Sequence, residues 1–140
     1  MRFLGLDLGT KTLGVAVSDI TGTIATSLTI LRHDNNHSYL IEELKKIIDE
    51  KNVETIVLGL PKNMNNTIGE RGEMVLSFKE KLEKNVNLPV ILEDERLTTR
   101  VAENILITAD VSRKKRKKVI DKMAANIILQ SYLDRRRDGR

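Results

Sequence analysis

Apolar residues in the first quarter of the chain form short runs separated by turn signals. Runs rich in β-branched and apolar residues occupy positions 2–8, 13–18 and 23–31, and the segments 9–12 and 19–22 between them carry Gly, Asp and Thr. Clusters of these residues between apolar runs are typical of turns between paired strands. The pattern therefore predicts an antiparallel meander of three strands.

Helical and strand periodicity alternate in the remainder of the chain. Ser38 is placed to cap a first helix, whose apolar residues share one face: Leu40, Ile41, Leu44, Ile47 and Ile48. A short apolar strand is predicted at 53–60. A second helix is predicted from about Glu70, with an inner stripe of Met74, Val75, Phe78 and Leu82.

The last part of the chain predicts one more strand and two more helices. The strand covers 89–92, and Thr98 or Thr99 caps a helix that buries Val101, Ala102, Ile105 and Leu106. Ser112 caps the final helix. Strands that alternate with helices after a meander predict an α/β fold with a mixed five-stranded sheet and helices packed on its faces.

Length and composition indicate a single domain over residues 1–140, with a basic C-terminal tail from about residue 135. The chain has no Cys, which excludes disulfides and thiolate metal sites. Neither a signal-peptide pattern nor a stretch of about 18 apolar residues is present, so we expect a cytoplasmic protein without a membrane partner.

Positive charge is concentrated at one end of the chain. Residues 111–140 carry 11 Lys/Arg against 3 Asp, whereas the residues before them carry 13 basic against 17 acidic side chains. Basic runs at 113–118 and 135–137 are of the kind that attracts a polyanion, although a solvated helix face would show the same composition. Aromatic residues make up only 3% of the chain. Recognition of a nucleic acid should therefore rest on charge and shape rather than on stacking platforms.

Three acids at ends or on inner faces of predicted elements are the candidate catalytic and metal-binding residues: Asp7, Glu95 and Asp121. Asp7 closes an apolar strand and should face the same side as Phe3 and Gly5. Asp121 shares a helical stripe with Ala124 and Ala125, whose small side chains would allow the helix to approach the sheet.

Converging carboxylates repel one another unless a cation lies between them, so a divalent cation is expected at this site. Mg²⁺ or Mn²⁺ held there would activate water, and a second ion would stabilise a departing 3′ oxygen, as in phosphodiester cleavage. Lys11 or Arg96 could add positive charge. Each acid also has a structural interpretation: Asp7 in an Asx turn, Asp121 paired with a helix lysine, Glu95 solvated in a loop.

Three points remain open on pattern alone. Glu93 and Asp94 stand beside Glu95, and the pattern does not choose among them. His33 and His37 have the spacing of helical metal ligands, but the Asp-Asn-Asn segment between them favours a turn. The segment 61–71 is either a lid over substrate or a plain surface connection.

Four motifs together resemble the YqgF (RuvX) family of Holliday-junction-resolvase-like proteins. They are 5–19 (GLDLGTKTLGVAVSD), 59–65 (GLPKNMN), 94–99 (DERLTT) and 120–125 (IDKMAA), and they occur in family order. The resemblance implies an RNase H-like fold, an acidic metal site at Asp7, Glu95 and Asp121, and a nuclease that matures the 5′ end of pre-16S rRNA. Related RuvC resolvases carry an acid at the end of the fourth strand, whereas here that strand ends Leu-Gly-Leu-Pro, so Glu95 is expected to take its role.

The expected partner is RNA of the small ribosomal subunit precursor, with branched DNA as an alternative substrate. Candidate nucleic-acid-binding residues are the basic side chains near the acids and in the first basic run: Lys11, Arg71, Arg96, Arg113, Lys114, Lys115, Arg116, Lys117 and Lys118. Three rival functions are a non-catalytic RNA-binding assembly factor, a Holliday-junction resolvase and an ATP-phosphate-binding module. The last is suggested because segment 7–12 is similar to the phosphate hairpin of actin-like and sugar-kinase ATPases.

Overall fold

The computed structural model describes residues 1–63, 65–96 and 106–137, except for the side chains of Lys117, Ile120 and Asp121. Five strands are present: β1 Phe3–Leu8, β2 Thr12–Ser18, β3 Ala25–Arg32, β4 Thr55–Leu60 and β5 Val90–Asp94. The long helices within the described ranges are α1 His37–Lys51, α2 Glu70–Asn85 and α3 Arg113–Arg137.

The strands form one mixed sheet in the order β3-β2-β1-β4-β5. β1, β2 and β3 are antiparallel neighbours, which confirms the predicted meander, while β4 is parallel to β1 and β5 is parallel to β4. The carboxyl ends of the parallel strands β1, β4 and β5 therefore meet at one edge of the sheet, where side chains that follow them can converge.

Helices cover both faces of the sheet, as predicted. Leu4, Leu6 and Leu8 of β1 face the core formed with α1 and α2, whereas Phe3 faces the core formed with α3. Because side chains alternate along a strand, this assigns the odd-numbered residues of β1 to the α3 face.

Glycines in the sheet let α3 lie close to it. A Cβ at Gly5 would lie 2.6 Å from Leu129 Cβ and 3.0 Å from the Ala125 carbonyl oxygen. A Cβ at Gly59 of β4 would lie 2.5 Å from Ile128 Cδ1. α3 can therefore approach the sheet this closely only because Gly5 and Gly59 have no side chains.

Several element boundaries differ from the sequence prediction by one to two residues, including those of β3 and β5, and two of the differences have local reasons. α1 begins at His37 and not after Ser38, because Asn36 Oδ1 accepts the Tyr39 N–H at 3.1 Å and acts as the cap. β4 begins at Thr55 and not at Val53, because the chain must first leave α1 through Asn52, which has φ 54°.

Of the two helices predicted for the last part of the chain, the final one is confirmed. Ser112 does cap α3, since its Oγ accepts the Lys115 N–H at 3.4 Å and its carbonyl accepts the Arg116 N–H at 2.8 Å. The helix predicted after Thr98 or Thr99 lies almost wholly outside the described residues.

Candidate active site

Asp7 lies half-buried near the carboxyl end of β1, on the face that α3 covers. It is the register partner of Gly14 in β2, and a Cβ at Gly14 would lie 3.8 Å from Asp7 Cβ and 3.4 Å from Ala125 Cβ. The predicted orientation, on the side of Phe3 and Gly5, is therefore correct. A carboxylate held between sheet and helix at a strand end is available for chemistry but shielded from bulk water.

Glu95 directly follows β5, and its side chain crosses β4 at Gly59. A Cβ at Gly59 would lie 3.0 Å from Glu95 Cγ and 3.1 Å from Glu95 Cδ. β4 pairs with both β1 and β5, so Gly59 occupies the strand between the two acids. The missing side chain at Gly59 provides the space through which Glu95 reaches Asp7.

The electrostatics of Glu95 are dominated by burial and by Asp7. Burial, the charge of Asp7 and a hydrogen bond between the two carboxyl groups raise the pKa of Glu95 to about 8, while the positive charge of Arg71 opposes this increase. Glu95 Oε2 is buried and has no hydrogen-bond partner within the described part of the chain. An unpartnered buried carboxylate oxygen beside a second carboxylate is a favourable place for a hard cation.

The structure separates Glu95 from its two acidic neighbours. Glu93 is only 3% exposed and forms an ion pair with Arg135, whose Nη1 lies 2.7 Å from Glu93 Oε2. Ser131 Oγ donates to the same oxygen at 3.1 Å. Asp94 accepts from Arg96, with Nη2 at 2.7 Å from Oδ2, and this interaction lowers the pKa of Asp94. Of the three acids, Glu95 is the one that shares its surroundings with Asp7.

Asp121 lies on α3, one helical turn before Ala125, and its side chain falls outside the described residues. Its participation in the site therefore stays a prediction. Within the described ranges there is no group of three or more His, Cys, Asp or Glu side chains that could hold a metal ion. Asp7 and Glu95 form the described part of the candidate site.

Basic residues near the site have different environments. Arg71 Nη2 donates to the Leu8 carbonyl at 3.1 Å, which places its charge at the end of β1. Lys11 is exposed in the turn between β1 and β2. Arg96 binds Asp94 and also donates to the Asn63 carbonyl and to Asn66 Oδ1, each at 3.1 Å. Arg96 thus attaches the loop after β4 to the end of β5.

The basic run at 113–118 forms the first turns of α3. The side chains of Arg113, Lys114, Lys115 and Lys118 are exposed, whereas Arg116 is half-buried and donates through Nη1 to the Val111 carbonyl at 2.8 Å. No acid occupies the first turn of this helix. Positive charge at a helix N-terminus opposes the helix dipole, so this arrangement does not serve helix stability. The second run, at 135–137, contributes its first arginine to the ion pair with Glu93.

His33, which the sequence analysis considered with His37 as a metal ligand beside a predicted turn, has a structural role at the site that the sequence did not indicate. It is 3% exposed, its Nδ1 accepts the Asn35 N–H at 2.9 Å, and its Nε2 lies 3.0 Å from the Gly9 carbonyl. Nε2 therefore carries the ring proton and donates a hydrogen bond to the Gly9 carbonyl. Since both ring nitrogens are engaged, His33 holds the turn after Asp7. The contact joins residues 24 positions apart, and no local sequence signal indicates it.

Comparison with known proteins identifies close relatives over nearly the whole chain. The family model described as RuvX: Holliday junction resolvase matches residues 1–135. A protein of Geobacillus sp. (strain WCH70) named "Putative pre-16S rRNA nuclease" is 62% identical over 135 residues, which cover 96% of this chain and 98% of that protein. A Bacillus subtilis (strain 168) protein of the same name is 57% identical over 135 residues, with the same coverage.

Structural similarity extends to more distant proteins. RuvC of T. thermophilus, solved in complex with a Holliday junction substrate, superposes with a TM-score of 0.69 and covers 99% of this chain and 96% of that one, at 13% identity. At this identity the likeness confirms the RNase H-like fold.

None of the helices in the described residues has the length and hydropathy that a membrane crossing requires.

Proposed function

Because the chain belongs to the RuvX family, we propose that it is a divalent-metal-dependent nuclease that cleaves structured RNA during 5′-end maturation of pre-16S rRNA. The observation that carries this proposal is the pair of carboxyl groups of Asp7 and Glu95, gathered from two strand ends, with Glu95 Oε2 buried and unpartnered among the described residues. The name borne by relatives at 57 and 62% identity supports the substrate class.

The residues present fit Mg²⁺ or Mn²⁺. The donor set consists of carboxylate oxygens, the ligands that these hard cations prefer, and the unpartnered Glu95 Oε2 lacks a proton donor that would compete for it within the described chain. Asp7 and Glu95 would hold the ion, and Asp121 completes the set that we propose. A bound divalent cation would lower the pKa of an attacking water and neutralise charge on the phosphoryl oxygens.

The protein's own groups prepare the site for that chemistry. Glu95, with its raised pKa, retains a proton near neutral pH in the metal-free protein. A divalent cation held by Glu95 and Asp7 would favour the ionised carboxylate. Arg71 supplies fixed positive charge next to the end of β1. His33 anchors the turn through Gly9 and the Lys11 carbonyl, which accepts the His33 N–H at 3.0 Å. These contacts hold Asp7 in one position while the substrate binds.

We propose that the basic run 113–118 binds the phosphate backbone, assisted by Lys11 and Arg71. Four side chains of the run, those of Arg113, Lys114, Lys115 and Lys118, are exposed. The run lies on the helix that covers the acids, and it carries charge that the helix dipole disfavours. Association driven by these residues would release counterions and would weaken as salt concentration rises. Arg96 forms an ion pair with Asp94, so we propose that it contributes little charge to RNA binding. Its contribution would be to hold the loop after β4 in place.

Cleavage of a pre-16S rRNA fragment in MnCl₂ tests the proposal. Asp7→Asn and Glu95→Gln should each reduce the single-turnover rate by about a hundredfold or more, because either change removes an ionic ligand. Asp49→Asn, which alters an exposed acid of α1, is the matched control and should cleave like the wild type. If both site variants cleave at the wild-type rate, the nuclease proposal is wrong. Unchanged RNA binding without cleavage by any variant would favour the assembly-factor alternative.

A further inference from the structure

We propose that the groove between β2, β3 and α3 binds one unpaired nucleoside of the RNA, next to the phosphodiester bond that is cleaved. This inference rests on the proposed function and specifies its substrate: the nucleotide beside the cleaved bond must be free of base pairing. Nothing in the family description or in the names of the relatives assigns a role to this groove.

The groove borders the candidate active site at Gly14, the register partner of Asp7. It has a volume of about 550 Å³, within the range typical of small-molecule pockets. Gly14 and Ala125 line it, and a Cβ at Gly14 would lie within 3.8 Å of Asp7 Cβ. Gly14 therefore places one wall of the groove next to Asp7, so that a nucleoside in the groove would place its phosphate near this residue.

Two large apolar side chains line the groove and remain exposed. Ile30 of β3 is 56% exposed and Met123 of α3 is 41% exposed. They belong to different elements, so they can contact a flat base from different sides. Every base offers an apolar face whatever its identity, and a methionine thioether makes favourable contacts with aromatic rings. None of the residues that line the groove is aromatic, so the base would be held by aliphatic contacts.

Polar groups of the groove suit the ribose and phosphate. Lys122 lines it with an exposed side chain, on the same helix as the basic run 113–118. Its ammonium group would complement a phosphate charge. Ser27, the register partner of Ala16, places a hydroxyl group along the β3 side, and its Oγ lies 3.4 Å from Asn126 Nδ2. A hydroxyl group can accept from and donate to the 2′-OH, the feature that distinguishes RNA from DNA.

The geometry favours an unpaired nucleotide over a base in a duplex. In a continuous helix both faces of each base are covered by neighbouring bases, so a base cannot at the same time lie against Ile30 and Met123. Proteins commonly recognise RNA at loops and ends, where bases are already separated from the stack. We therefore expect cleavage at unpaired positions, with little preference for the identity of the base.

Methyl NMR tests the groove without any cleavage. The protein carries ¹³C-labelled Ile and Met methyl groups and is titrated in EDTA with adenosine 5′-monophosphate, and separately with ribose 5-phosphate. We expect upfield ring-current shifts at Ile30 Cδ1 and Met123 Cε with the nucleotide and not with the sugar phosphate. The remote Ile20 and the partly buried Met74 are internal controls. Shifts absent with the nucleotide, equal with both probes, or equal at Ile20 would overturn the proposal.

Two wall variants provide a second measurement. Ile30→Thr keeps a β-branched residue in β3, and Met123→Ala keeps a strong helix former in α3, so both should fold. Each should weaken nucleotide binding about fivefold, at the low end of what base stacking contributes. Ile20→Thr, at an exposed position in the turn between β2 and β3, is the matched control. Wild-type affinity in both wall variants would contradict the groove assignment.

The outcome is distinguishable from failure of the nuclease proposal. If the methyl groups shift but the protein does not cleave RNA, the nucleoside site is supported and the nuclease proposal is contradicted. If the protein cleaves RNA but the groove methyl groups do not shift, the nuclease proposal is supported and the nucleoside site is contradicted. The phosphate contact is tested separately by measuring the affinity for ribose 5-phosphate. Lys122→Gln should weaken this binding, and an unchanged affinity would contradict the contact with Lys122.

Discussion

Replacing Glu95 by Gln should stabilise the metal-free protein at alkaline pH. In the folded protein the pKa of Glu95 is raised from 4.5 to about 8, chiefly by burial and by Asp7. Between these values the folded chain binds one proton more than the unfolded chain, so the free energy of unfolding decreases as pH rises. The contribution of the neutral carboxyl group is fully present below the unfolded pKa and is lost as pH passes through the folded pKa.

The size of the effect follows from the pKa difference. At about 1.4 kcal/mol per pH unit, the wild type should lose on the order of 3 kcal/mol between about pH 5 and pH 8 through this one group. Glu95→Gln cannot titrate and should not show this loss. The difference in unfolding free energy between the two proteins therefore reports Glu95 together with its interaction with Asp7, while distant titrating groups cancel.

Urea denaturation in EDTA at several pH values measures this difference. A second series in MnCl₂ should restore the stability of the wild type at high pH, by about 2.7 kcal/mol when the ion is at one hundred times its dissociation constant, and should restore little in Glu95→Gln. If the two proteins show parallel stability curves from pH 5 to pH 8, the close approach of Glu95 to Asp7 is wrong, and with it the basis of the metal site.

Three further predictions concern packing and charge. Arg135→Gln should destabilise the protein by about 2–4 kcal/mol in urea denaturation, because it leaves the buried Glu93 without its ion-pair partner; a loss no larger than that of the exposed Arg137→Gln would contradict this. Gly5→Ala should lower the unfolding free energy by about 1–3 kcal/mol, since the added methyl group meets α3 at 2.6 Å; an unchanged value would show that α3 can move outward. Neutralising the four exposed basic residues of 113–118 should reduce the slope of log affinity for RNA against log salt by about 3. Circular dichroism should show an unchanged helix content, and an unchanged slope would exclude this run as the docking surface.

Local sequence pattern was sufficient for most of the architecture. The turn segments 9–12 and 19–22 predicted the meander, and the apolar stripe of α2 predicted its buried face, because hydrophobic periodicity reports directly which side of an element is covered. The orientation of Asp7 also followed, since side chains alternate strictly along a strand. The boundaries of α1 and β4 were predicted less accurately. Asn36 and Ser38 are both suitable helix caps, and the exit from α1 through Asn52 delays the start of β4.

The family motifs, read in order along the sequence, were likewise enough to indicate an RNase H-like nuclease. By contrast, the local pattern did not distinguish Glu95 from Glu93 and Asp94; the family resemblance implied Glu95, and only the tertiary structure shows the physical difference among the three acids. These three consecutive acids have the same local pattern, and their different roles depend on partners far along the chain: Arg135 for Glu93, and Asp7 beside Glu95 across Gly59. The pKa of a carboxyl group depends on burial and on charges brought near it by folding, and neither is encoded in the residues next to it.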